Sequence, residues 1–231
     1  MTAHTVKLYE EQLQDLSSSI VKMGALAESQ LQNAVNALID KDQEAADETV
    51  GRDDRIDEME KKIEEKVLDL IVLRQPMAID LRETVSAMKI SSDLERIGDL
   101  AKNIAKRSRS INVELPDDIK KNIRAVADLV QKTLKLVLDS YIDRDKEKAI
   151  KVWSSDEQID NLVNVTMNSI IKFMSKDKVN IKSSTHLLFA SKNLERMGDH
   201  ATNIAEVIYY LVTGNNVYGE RPKGTTGIVT G

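Results

Sequence analysis

Cysteine is absent from the chain, which rules out disulfides and thiolate-held metal ions. Prolines number only three and aromatic residues make up 3%, a poor composition for a sheet protein. No stretch approaches the ~18 consecutive apolar residues of a membrane span. The N-terminus has no apolar run and carries Glu10, Glu11 and Asp15, so it does not read as a signal peptide. Positive charge is not in excess. The net charge of −5 supplies no overall attraction to nucleic acid. The expectation from these absences is a soluble, cytoplasmic protein without direct nucleic-acid contacts.

What the chain does have is charge and helix formers. Charged residues are 31% and hydrophobic residues 41% of its 231 residues, enough for one or two cored domains of long helices. Apolar residues at steps of three and four, from Leu13 and Leu16 through Ile20, Met23, Leu31 and Val35 to Leu38, predict an amphipathic helix over 8–41. A second is predicted over 43–73, on the stripe Ile56, Met59, Ile63, Val67 and Leu70. Gln75-Pro76 separates it from a third over 77–110. Pro116, followed by Asp117 and Asp118, opens a fourth to about Tyr141. A fifth over 146–174 and a sixth over 181–212 complete the set.

These helices form a duplicated unit. Leu94-Glu95-Arg96-Ile97-Gly98-Asp99-Leu100-Ala101-Lys102-Asn103-Ile104-Ala105 returns 100 residues later as Leu194-Glu195-Arg196-Met197-Gly198-Asp199-His200-Ala201-Thr202-Asn203-Ile204-Ala205, identical at nine of twelve positions. Ile39-Asp40-Lys41-Asp42 and Ile142-Asp143-Arg144-Asp145 correspond at an offset of 103, as do the segments starting at Asp53 and Asp156. The fold expected is all-α, with six long helices in two tandem, pseudo-symmetric three-helix bundles. Their expected extents are 1–112 and 113–213, with a flexible, glycine-rich tail over 214–231.

Carboxylates recur in the repeat at helical spacing. Asp53 and Asp57, Glu95 and Asp99, Asp156 and Asp160, and Glu195 and Asp199 are each four apart, hence on one helix face. In an antiparallel hairpin, residues equidistant from the turn lie level. Asp53 with Asp99, and Asp57 with Glu95, are both centred on Pro76; the corresponding pairs of the second half centre between Asp177 and Lys178. Each half therefore gathers four carboxylates at one level. A lone Asp-x-x-x-Asp is ordinarily a solvated face; four, level and duplicated, call for compensation by cations. Oxygen donors favour hard ions such as Mg²⁺, Ca²⁺ or Mn²⁺, with iron also compatible. Arg96 and Arg196 adjoin the pairs but lie about 100° away around the helix. Gly98 and Gly198 mark a close approach by a neighbouring helix or a bound ion, since a mid-helix glycine costs ~1 kcal/mol. His186 and His200 have no histidine counterparts in the first half, and Trp153 reads as packing.

On Asp80-Leu81-Arg82, the two motif copies and Thr185-His186-Leu187-Leu188, the chain resembles the PhoU family over nearly its whole length. The resemblance implies a non-enzymatic regulator of phosphate uptake and phosphate-starvation signalling. It implies multinuclear clusters of divalent or trivalent ions (iron, zinc, manganese or magnesium) on Asp53, Asp57, Glu95, Asp99, Asp156, Asp160, Glu195 and Asp199. Asn103 and Asn203 follow on the same face. The implied partners are a sensor histidine kinase and the ATPase subunit of a phosphate ABC importer; a homodimer is a further expectation. Two alternatives stand beside this reading. One is a metal-dependent phosphoester hydrolase, disfavoured because no His or Lys recurs as a general acid or base. The other is a metal-free helical adaptor. The paired Glu-x-x-His motifs of a ferritin-like oxidase are absent.

Overall fold

A computed structural model describes residues 3–219 and 221–224, with side chains from Leu8 onward. Among the described residues there is helix and no strand. The elements are α1 (Ala3–Asp40), α2 (Gln43–Gly51), α3 (Asp54–Arg74), α4 (Ile79–Ser108), α5 (Asp117–Asp143), α6 (Lys146–Ser154), α7 (Asp156–Met174) and α8 (Asn180–Thr213). The anticipated second helix is divided at Arg52-Asp53 into α2 and α3, and the fifth at Ser155 into α6 and α7. No proline marks either break, and the apolar stripe read for the second helix begins only at Ile56, past its break. With each divided helix counted once, the fold is the six-helix tandem arrangement.

The duplication reaches the backbone. Lys41 and Arg144 both close a long helix with φ near +55° (56° and 52°), a left-handed conformation uncommon for side chains other than glycine. Asp42 and Asp145, one residue further on, both N-cap the short helix that follows. Asp42 accepts from the Ala45 N–H at 3.0 Å, and Asp145 from the Glu147 N–H at 2.8 Å.

In each half the long first helix packs on the third, and the third on the divided second. The α1 stripe is buried as the spacing requires: Leu16, Ile20, Met23, Ala27, Leu31 and Leu38 are essentially inaccessible. The halves meet through α4 against α8 and α1 against α5, so one apolar core runs through both. Helices α4 and α8 run antiparallel. Near one end, Arg107 stacks over the Phe189 ring at 4.5 Å and the Asn112 N–H donates to Ser183 Oγ at 3.2 Å. Further along, Asp93 accepts hydrogen bonds from His200 (2.8 Å) and Asn203 (3.5 Å).

The two glycines of the repeated motif have one explanation. A Cβ on Gly98 would lie 2.9 Å from Ile56 Cδ1, and one on Gly198 would lie 2.7 Å from Ile159 Cδ1. Ile56 and Ile159 are equivalent in the repeat. The close approach is therefore an isoleucine of the neighbouring helix, which locks α3 to α4 and α7 to α8 in the same register. Gly51 meets nothing within 4 Å.

Two carboxylate faces as the candidate functional site

The tight turns at Gln75-Pro76 and 175–179 place the paired helices as the midpoints require. In the first half, Asp53 precedes the first turn of α3 and is 1% exposed. In the second, Asp156 is the first residue of α7 and is 2% exposed. The helix breaks thus set a buried carboxylate at a helix N-terminus in each half, where the dipole favours negative charge.

On the first face, Lys102 of α4 bridges the two helices. Its ammonium donates to Asp53 and, at 3.3 Å, to Asp99. These hydrogen bonds, that to Asp53 first, raise the lysine well above its ordinary range. Burial pushes the Asp53 carboxyl up, Lys102 opposes it, and the charges of Asp57 and Asp99 push further upward. Glu95 is raised by burial and by Asp99, Glu60 and Asp57, against Arg96. Asp53, Asp57, Glu95 and Asp99 thus share one electrostatic neighbourhood. Glu60 joins them, its own carboxyl raised chiefly by burial. Glu60 was missed because the repeat has Val163 at its equivalent; its place three residues after Asp57 was the available signal. Arg96 does not stand aside. Its guanidinium folds back to Glu95 (3.4 Å) and Asp99 (3.8 Å), because a long flexible side chain covers more of the helix than its Cα direction implies.

On the second face, Asp156, Asp160 and Asp199 come together: Asp160 is raised by burial and by the charges of the other two. Glu195 is paired with Lys192 at 2.5 Å. Thr202 stands where the first half has Lys102, and donates to Asp156 Oδ1 at 3.2 Å. The cation comes from the tail. Arg221 holds Asp156 with two hydrogen bonds of 2.9 Å and lies 3.1 Å from Asp199 Oδ1. Sequence reasoning placed these residues in a flexible tail; residues 221–224 lie against α7 and α8, and 225–231 lie outside the described residues.

His200 is bonded to Asp93 on the face between the halves, and His186 has its pKa lowered by burial, Arg107 and Lys182. Asn103 is exposed, whereas Asn203 accepts from Arg221 at 3.3 Å. Trp153 is half-buried and donates to Glu206 at 3.0 Å.

Among the described residues, no three acidic or histidine side chains converge on one point in this conformation; Lys102 and Arg221 stand between them. The donor set still suits a hard cation. It is all oxygen, Asp53, Glu95 and Asp160 are raised chiefly by burial and further by neighbouring carboxylates, and Asp53 Oδ1 is buried without a hydrogen-bond partner.

Fold and faces define a tandem-bundle, all-α protein with one acidic face in each half. A family model described as PhoU domain matches residues 20–108 and 123–208, one copy per half. The chain belongs to the PhoU family. It is 46% identical to a phosphate-specific transport system accessory protein PhoU homolog of Caulobacter vibrioides, over 96% of this chain and 97% of the relative. A Rhizobium meliloti protein of the same description is 42% identical over 99% of this chain and 98% of its own length. Among solved structures, PhoU from Pseudomonas aeruginosa superposes with a TM-score of 0.84 at 36% identity, covering 90% of this chain and 100% of that one. The phosphate transport system regulatory protein PhoU from Streptococcus pneumoniae has the same score at 30% identity, covering 91% and 99%.

Proposed function

We propose that this protein is a non-enzymatic accessory regulator of phosphate transport, acting at the cytoplasmic face of a phosphate ABC importer. The observation that carries the reading is end-to-end similarity, over both halves, to relatives described as accessory proteins of the phosphate-specific transport system. No described helix is long and apolar enough to cross a membrane, so the chain reaches a membrane-bound importer through protein contacts. In the finer reading it contacts the importer's ATPase subunit and a sensor histidine kinase, and holds starvation genes off while phosphate is plentiful. Its long charged helical faces would make such docking salt-sensitive. A homodimer is a further expectation, tested by sedimentation.

The metal belongs to the same proposal. Asp53, Asp57, Glu95 and Asp99 would hold one cluster; Asp156, Asp160 and Asp199, with Glu195 released from Lys192, would hold the other. Bound cations would supply the positive charge that Lys102 and Arg221 supply in this conformation. Deleting the gene is expected to switch on phosphate-starvation genes in phosphate-rich medium, and tagged protein is expected to co-purify with importer and kinase subunits. Low expression in the deletion strain, together with no co-purification, refutes the regulatory reading.

A further inference from the structure

The second acidic face already has an occupant: the chain's own C-terminal segment. Arg221 Nε and Nη2 reach the two oxygens of Asp156 at 2.9 Å each, the fork-to-fork geometry in which Arg binds carboxylate most strongly. Arg221 Nη2 also donates to the Asp199 backbone carbonyl at 3.2 Å, and Nη1 to Asn203 Oδ1 at 3.3 Å. Lys223 adds a second positive charge 3.7 Å from Asp199. The Gly224 N–H donates to Asp160 Oδ2 at 2.9 Å. A Cβ on Gly224 would lie 2.5 Å from Asp160 Cβ and 3.0 Å from Asn161 Oδ1, so the backbone comes this close only because the residue is glycine. Three carboxylates offered to metal in the proposed function, Asp156, Asp160 and Asp199, are thus bound by one short basic segment.

Among the described residues no such strap lies on the first face, where Lys102 supplies the cation from within α4. At the equivalent place Thr202 carries no charge, so Asp156 would keep no cationic partner if the tail left. A lysine fixed in a helix cannot depart. A segment tethered through the seven residues 214–220 can.

We propose that residues 221–224 form a tethered basic strap that occupies the second carboxylate face and excludes hard metal cations from it, so that the second half loads metal only when the strap is displaced. The strap itself rests on the contacts above; the exclusion rests on the metal reading of the proposed function.

The experiment uses full-length, metal-free protein with Mn²⁺ as the probe, and two readouts. One is the rate of tryptic cleavage after Lys223, a bond the docked strap protects. The other is Mn²⁺ binding by equilibrium dialysis, with Asp99→Ala or Asp199→Ala used to isolate each half. Cleavage after Lys223 is expected to be slow in the wild type and about tenfold faster in Arg221→Gln, the factor that loss of one charge-assisted contact brings. Gly224→Ala, which leaves every charge in place, is expected to speed it too. Saturating Mn²⁺ should speed cleavage in the wild type but not in Asp199→Asn. Arg221→Gln should tighten Mn²⁺ at the second half by about tenfold and leave the first unchanged. Equal cleavage rates in the wild type, Arg221→Gln and Gly224→Ala overturn the strap. Protected cleavage that Mn²⁺ does not alter, while Mn²⁺ binds the second half, overturns the exclusion. No Mn²⁺ binding in either half overturns the metal reading and the exclusion with it, and the cleavage rates then decide the strap alone.

Discussion

The two acidic faces are built on one frame and neutralised in two ways. Isoleucine against glycine fixes the helix register at Ile56–Gly98 and again at Ile159–Gly198. A helix break seats a buried aspartate at Asp53 and again at Asp156. The counter-charge then diverges at Lys102 against Thr202. The first face takes its cation from its own helix and adds Glu60. The second takes Arg221 from a segment 65 residues beyond Asp156. A buried carboxylate must be paired, but the pairing group can come from anywhere that reaches it. After a duplication, the frame is therefore more constrained than the counter-charge.

The largest expected effect comes from breaking the first face. Lys102→Met leaves Asp53 buried and unpaired, and should cost the metal-free protein about 2–3 kcal/mol in urea unfolding. Arg221→Gln should cost about 1 kcal/mol or less, because the tail departs and water reaches Asp156. Equal losses would mean that the two counter-cations are equivalent. Next in size is the effect on metal content. Asp99→Ala should lower bound metal in the first half only, and Asp199→Ala in the second only, since distant sites act independently. Elemental analysis of both variants against the wild type decides it, and unchanged metal in both would make the carboxylates a solvated face. A smaller effect is expected from Lys102→Thr, which gives the first face the residue of the second without a tail to cover it. Its Mn²⁺ affinity should rise, read by the same dialysis.

The smallest effect is on pH dependence. Glu28, Asp53, Glu60, Glu95 and Asp160 are all raised above their ordinary values, in each case chiefly by burial. The folded chain therefore binds protons at a pH where the unfolded chain has released them. Stability of the metal-free protein should rise as pH falls from 7 toward the carboxylate range, on the order of 1 kcal/mol in total, followed by thermal unfolding at low salt. Glu114, held down to about 2 by Lys120 and Lys41, works in the opposite sense but is fully exposed. Stability falling monotonically from pH 7 would mean that Lys102 and Arg221 already neutralise the faces.

Much of this protein was legible in its sequence because helices are regular. Rise and turn per residue are constant, so the apolar steps of α1 gave its buried stripe from Leu16 to Leu38, and distances counted from Pro76 put Asp53 level with Asp99. Internal repetition carried the same inference to Asp156, Asp160 and Asp199. The helix breaks were not legible, because no proline marks Arg52-Asp53 or Ser155. Nor was the pairing of Glu195 with Lys192, or Arg96 folding back onto Glu95, since both depend on rotamers of long side chains.

By itself, then, the sequence determined the helices, their duplication and the acidic face of each half, all of which follow from local periodicity. Only the tertiary structure decided what faces those carboxylates. Lys102 reaches across from α4 to α3, and Arg221 arrives from beyond α8 to an aspartate at the start of α7. Such pairings are set by which segments end up adjacent in space, and the strength of an ion pair depends on burial that no spacing in the chain encodes.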